Sequence, residues 1–268
     1  MTILEKIIAA KKLEVERARQ SCPTRMLERS SFFSTASKSL SDALLTTEQM
    51  GIIAEIKRKS PSKGVFKEEI DVVELSVGYR KAGASALSIL TDQNFFGGSN
   101  DDLRLARQHN EDCPVLRKDF VVSEYQVIEA KSIGADAVLL LANVLTAKDI
   151  KKFADLARSL TMEVLLEVHN GEELDSCFCD AVRLVGVNNR NLKDFTVDLE
   201  NSFKMASLIP DSLVKVAESG LGDSTTIVAL REAGYRGFLI GETFMKHDNP
   251  AQACAELVEL LRASISRT

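Results

Sequence analysis

Lys81-Ala82-Gly83-Ala84-Ser85-Ala86-Leu87-Ser88-Ile89-Leu90 reads as the end of a helix, a glycine stop and an apolar strand. The glycine suits a left-handed residue just past a helix, and the unbroken apolar run suits a strand buried on both faces. The same pattern returns in Ser132-Ile133-Gly134-Ala135-Asp136-Ala137-Val138-Leu139-Leu140 and in Glu232-Ala233-Gly234-Tyr235-Arg236-Gly237-Phe238-Leu239-Ile240. On either side of these, strands are predicted near 52–57, 86–90, 115–118, 137–141, 163–168, 184–188, 213–218 and 237–241, with room for a helix between each pair. Alternating strands and helices over 268 residues predict an α/β fold, a closed parallel (β/α)8 TIM barrel. A doubly wound open sheet competes, but the G-x-G-x-x-G dinucleotide fingerprint is absent.

Residues 1–48 carry helical patterning and too few apolar residues for a second core, so they are read as an N-terminal helical extension of one barrel domain spanning 1–268. With 45% hydrophobic and 27% charged residues the chain has the composition of a soluble globular protein. No apolar run approaches the roughly 20 residues that span a bilayer. Charges interrupt the apolar residues of Met1 to Gln20, which reads as an amphipathic helix of a cytoplasmic protein rather than a signal peptide. The net charge of −5 argues against general nucleic-acid binding. Cys22, Cys113, Cys177, Cys179 and Cys254 are odd in number and irregular in spacing, which predicts free thiols; His109, His169 and His247 show no ligand spacing.

Active sites of such barrels lie at the C-terminal ends of the strands. In Ile52-Ile53-Ala54-Glu55-Ile56-Lys57, alternation puts Ile53, Glu55 and Lys57 on one face, so an apolar strand ends in a carboxylate and an ammonium. The later strand ends add Lys118, Glu167, Asn188 with Arg190, and Glu218. One such charge is as readily a structural ion pair as a catalyst. Five at one mouth point to function. Three carboxylates there suit a divalent metal, but Lys57 and Lys118 among them oppose a cation and favour proton transfer. Ser219-Gly220-Leu221-Gly222 and Gly241-Glu242 occupy the fold's phosphate position, where glycines admit backbone N–H groups to an anion and a following helix N-terminus favours it. Ser60 to Gly64 offers further donors, so a small phosphorylated substrate is expected.

Ile53-Ala54-Glu55-Ile56-Lys57-Arg58-Lys59-Ser60-Pro61-Ser62-Lys63-Gly64, Pro114-Val115-Leu116-Arg117-Lys118-Asp119-Phe120, Leu166-Glu167-Val168-His169-Asn170, Val187-Asn188-Asn189-Arg190-Asn191-Leu192 and Glu218-Ser219-Gly220 closely resemble indole-3-glycerol phosphate synthase. The resemblance runs in order from the N-terminal helices to Gly241. It implies a (β/α)8 barrel that converts 1-(2-carboxyphenylamino)-1-deoxyribulose 5-phosphate to indole-3-glycerol phosphate, with loss of carbon dioxide and water, in tryptophan biosynthesis. It implies no cofactor and no metal. By motif it assigns Glu55, Lys57, Lys118, Glu167, Asn188 and Glu218 to catalysis, with Lys118 as the proton donor of ring closure and Glu167 as a nearby acid or base. Dehydration is left to Lys57 or Glu167. Ser60, Arg190, Ser219, Gly220 and Gly241 are assigned to substrate binding. Glu242 sits beside the expected phosphate, harmless if it points away and repulsive if it points in. With no second barrel the chain is expected to be monofunctional, a monomer or weak homo-oligomer without membrane or nucleic-acid partners. A Schiff-base aldolase and a non-catalytic metabolite sensor are the competing readings. The first needs a lysine of depressed pKa, which surrounding carboxylates oppose, and the second has little use for Glu55, Lys118 and Glu167 together.

Overall fold

A computed structural model describes residues 1–46, 50–191 and 195–265. Leu192 and residues 47–48 of the predicted extension lie outside the described residues. The strands are β1 (Ile52–Ile56), β2 (Ala86–Leu90), β3 (Val115–Lys118), β4 (Ala137–Leu141), β5 (Glu163–Val168), β6 (Leu184–Asn188), β7 (Val214–Glu218) and β8 (Gly237–Ile240). All pair in parallel with their neighbours, and β8 returns to β1 with Phe238 opposite Ile52 and Ile240 opposite Ala54, so the sheet is a closed barrel. Gly83, Gly134 and Gly234 follow the helices Val72–Lys81, Glu124–Ile133 and Ser224–Glu232 with φ of 97°, 92° and 102°. These are the left-handed stops that the repeat requires.

The alternation in β1 decides what enters the barrel. Ile53 packs inside with Leu116, Leu139, Leu165 and Leu239, while Ile52, Ala54 and Ile56 pack in the layer between sheet and helices. Glu55, on the face of Ile53, therefore enters the lumen at its C-terminal end.

The N-terminal helices close both ends. Helix Leu40–Leu45 drives Leu40 and Leu44 into the interior cluster at the floor, each burial stabilising the fold by about 1.5–3 kcal/mol. Helix Ile3–Ser21 starts with a Thr2–Glu5 capping box and crosses the opposite end, where Ile3, Leu4 and Ile7 line the mouth. The Tyr125 hydroxyl lies 3.1 Å from Ala18 O and 2.9 Å from Cys22 O, anchoring the far end of that helix. All five cysteines are free. Among the described residues, no helix is long and apolar enough to cross a membrane.

Candidate active site

A cavity of about 570 Å³ opens at the C-terminal ends of the strands. Its wall contains every residue assigned to catalysis or substrate binding from the sequence, Glu55, Lys57, Ser60, Lys118, Glu167, Asn188, Arg190, Glu218, Ser219, Gly220 and Gly241, but not Gly64 or Gly222. Parallel strands that end at one rim bring together side chains spread over most of the chain.

Lys118 is the centre of the charged cluster. Its Nζ lies 3.2 Å from Glu167 Oε2 and 3.1 Å from Glu218 Oε2. Burial works against its charge, but Glu218, Glu167 and Glu55 outweigh that and hold it firmly as an ammonium. A Schiff-base lysine needs the opposite shift. Asn188 Nδ2 donates to Glu167 Oε1 at 3.0 Å. Burial raises the Glu167 pKa, yet Lys118, His169 and the Asn188 hydrogen bond bring it below the usual value, so Glu167 is a carboxylate. Glu218 goes the other way. Burial, reinforced by the negative charge of Glu167, overcomes Lys118 and pushes it up to about 7. Its Oε1 has no hydrogen-bond partner among the described residues. Two neighbouring carboxyls with pKa values forced apart are the arrangement of a proton donor beside a proton acceptor. Lys57 and Glu55 form a separate pair at 2.6 Å, with Lys57 5.7 Å from the centre of the Phe66 ring.

Glycines make space for these carboxyls. A Cβ on Gly186, inside β6, would collide with the Glu218 carboxylate, and one on Gly241 would collide with that of Glu55. A strand-interior glycine often marks such a close approach, so Gly186 is a sequence signal that carried information.

Ser219 and Gly220 follow β7 with φ of 69° and 76°, consecutive left-handed residues of the kind that expose backbone N–H groups to an anion. The helix Ser224–Glu232 beyond them is already capped by Asp223, which accepts from Thr226 N. The short turn of helix Glu242–Met245 begins at Gly241 with no side-chain cap. Glu242 is neutralised in place: Arg190 Nη2 lies 2.9 Å, Lys246 Nζ 2.6 Å and Lys63 Nζ 3.9 Å from its carboxylate. Burial raises its pKa, but Lys246, Arg190 and Lys63 lower it further, so it stays ionised. Arg190 is thus held by Glu242 and by Phe195 O at 3.3 Å, on the side of the cavity that carries Gly241.

The opposite wall is apolar, built by Ile3, Leu4, Ile7, Phe96, Phe120 and Leu141, with the Phe96 and Phe120 rings 5.9 Å apart. Sequence reasoning passed over these residues because apolar side chains on helices and after strands are ordinarily core. It also passed over His169, whose Nδ1 lies 3.4 Å from Glu173 Oε2 beside Glu167. Among the described residues no group of His, Cys, Asp or Glu is disposed to hold a metal ion.

Fold and site define a TIM-barrel enzyme whose mouth holds a buried lysine–carboxylate cluster between an apolar wall and a glycine-bearing rim. The indole-3-glycerol phosphate synthase family pattern matches residues 4–257. Indole-3-glycerol phosphate synthase of Bacteroides thetaiotaomicron is 46% identical over 260 residues, covering 97% of this chain and 99% of that one. The enzyme of the same name from Campylobacter fetus subsp. fetus is 38% identical over 255 residues, covering 95% and 98%. The chain belongs to the indole-3-glycerol phosphate synthase family. In fold alone it is similar to 3-hexulose-6-phosphate synthase from Salmonella typhimurium, with a TM-score of 0.64 at 11% identity over 80% of this chain and 99% of that one.

Proposed function

We propose that the cavity carries out the family's reaction, indole ring closure with loss of carbon dioxide and water, with Lys118 as the proton donor of the first step. The observation that carries this reading is Lys118 held as an ammonium within 3.2 Å of two carboxyls of unlike pKa. The ring carbon bearing the carboxylate attacks the ketone carbon, and the ketone oxygen takes a proton from Lys118 Nζ as the new bond forms. The carboxylate then leaves as carbon dioxide, and its bonding pair restores the ring's conjugation. Glu218, with a pKa of about 7 and an oxygen 3.1 Å from Lys118, returns the proton to the lysine. Water leaves last, its hydroxyl protonated by an acid while a base removes a carbon-bound proton. Glu167 is ionised and so suits the base; Lys57, with Nζ 2.6 Å from Glu55 Oε1, is left as the acid.

The apolar wall takes the aromatic ring, while Ser60, Arg190, Ser219, Gly220 and Gly241 take the phosphorylated end. Lys57 reaches the ring carboxylate without a grip tight enough to oppose its departure. The enzyme works in the cytoplasm on a free metabolite, as a monomer or weak homo-oligomer, and the net charge of −5 supports independence from nucleic acid. Incubation with 1-(2-carboxyphenylamino)-1-deoxyribulose 5-phosphate should produce indole fluorescence that requires the folded protein. Substrate that persists beside folded protein overturns the reading.

A further inference from the structure

Beyond the proton-transfer cluster, a second buried charge centre lies where the N-terminal helix meets the barrel. Lys11 projects from helix Ile3–Ser21 and is 1% exposed, with Nζ 2.9 Å from Glu14 Oε1, Asp92 Oδ2 and Asp119 Oδ1 alike. A lysine so buried is costly unless carboxylates surround it. Burial opposes its charge, and Asp119 and Asp92 outweigh that. Both aspartates follow strands at the mouth end of the barrel: Asp119 lines the cavity, and Asp92 lies two residues past β2. Asp119 directly follows Lys118, and its other oxygen accepts from Thr91 Oγ1 at 2.6 Å and Arg117 Nη2 at 3.1 Å. Asp92 caps the turn Gln93–Phe96 by accepting from Phe95 N at 2.7 Å, and that turn supplies Phe96 to the apolar wall. Ile3, Ile7 and Lys11 are spaced four apart on one helix face, and the first two line the cavity.

We propose that Lys11 is a positioning residue that couples the seating of the N-terminal helix over the mouth to the alignment of Lys118. One ammonium ties the helix to the residue after Lys118 and to the turn that carries Phe96. Without it, Asp92 and Asp119 face each other as like charges, and the backbone that presents Lys118 loses one of its fixed points. The Tyr125 contacts at Ala18 and Cys22 still hold the far end of the helix, so the end over the mouth is the part released. Release removes Ile3, Leu4 and Ile7 from the apolar wall and shifts Lys118 together, so substrate binding and the chemical step fail jointly.

The inference rests on Lys118 as proton donor, and the test separates the two. Lys11→Met, Lys11→Arg and Lys118→Ala are compared in the full chain by steady-state kinetics with 1-(2-carboxyphenylamino)-1-deoxyribulose 5-phosphate and by amide exchange of residues 3–11. Lys11→Met should speed that exchange about tenfold or more. It should also raise KM and lower kcat by up to about 10²-fold, the scale of a small misplacement of a catalytic group. Lys11→Arg, which keeps the charge, should restore part of both. Faster exchange with unchanged kcat, or lower kcat with the helix still protected, overturns the coupling. If Lys11→Met does not fold, Lys11→Arg decides: smaller changes in both readouts support the coupling, and a change in one alone overturns it. Near-native kcat in Lys118→Ala would instead sink the proton-donor reading. Collapse of kcat in that variant with none in Lys11→Met would sink only the role of Lys11.

Discussion

At the floor of the barrel Glu163 accepts from Ser39 Oγ, Ser41 Oγ and Ser41 N at 3.1, 2.6 and 2.8 Å, whereas at the mouth Glu218 has one oxygen held by Lys118 and the other unpartnered among the described residues. Asp136 repeats the floor pattern, accepting from the backbone N–H groups of Lys38 and Val115 at 2.8 Å each and pairing with Arg107 at 2.6 Å. The mouth crowds Glu55, Glu167 and Glu218 around two lysines. Both ends bury carboxylates, but among the described residues only Glu218, at the mouth, keeps a buried carboxylate oxygen without a hydrogen-bond partner. Full satisfaction turns a buried charge into a stabilising tie between helix and strand, and partial satisfaction leaves a group whose proton is easily exchanged.

The sharpest way to break this contrast is to remove the central lysine of the mouth. Lys118→Ala should lower kcat by about 10²- to 10⁴-fold or more while the protein stays folded. A rise confined to KM would make Lys118 a substrate anchor and move the acid to Lys57. At the floor the expectation is reversed. Glu163→Ala orphans the Ser41 N–H and should cost about 1–3 kcal/mol in urea unfolding, with kcat and KM within about twofold of the parent. An equal loss of activity would show that the floor is not purely structural.

Gly220→Val tests the proposed phosphate site at the rim. A side chain there collides with Val197, and φ of 76° is unfavourable for a β-branched residue. KM and the inhibition constant of inorganic phosphate should rise together, by roughly tenfold from a loss of about 1.4 kcal/mol in binding. Unchanged competition by phosphate would move the phosphate elsewhere.

Glu218→Gln sharpens the comparison through pH. The folded pKa of about 7 lies above the ordinary 4.5, so between these values the native state holds a proton that the unfolded state has released. Stability from this group therefore falls as pH rises from about 4.5 to 7, and the loss is complete above the folded value. The variant should flatten that part of the stability profile and remove a limb near neutrality from the kcat/KM profile. A profile that keeps its slope would place the titrating group elsewhere. The smallest expected effect is none: turnover should survive exhaustive EDTA dialysis, because the lysines supply the positive charge. Loss with EDTA and recovery with magnesium would revive the metal reading of the three carboxylates.

How much was legible in advance follows from the distance over which each signal acts. The glycine stops, the apolar runs and the face of β1 that carries Glu55 are local consequences of helix termination and strand alternation, so the barrel and the eleven cavity residues could be read from the chain. Gly186 and Gly241 were half legible. A glycine announces that something approaches closely, but not that the visitors are Glu218 and Glu55.

The order of residues by itself determined the eight-stranded barrel and which side chains reach its mouth, because both depend on periods of a few residues. Only the tertiary structure decided how those charges divide into a Lys118–Glu167–Glu218 centre and a Lys57–Glu55 pair. It alone decided that Glu242 is neutralised by Arg190, Lys246 and Lys63, and that Lys11 reaches across to Asp92 and Asp119. Coulomb and hydrogen-bond energies depend on distances of a few ångströms between atoms far apart in the chain, and those distances exist only once the barrel has closed.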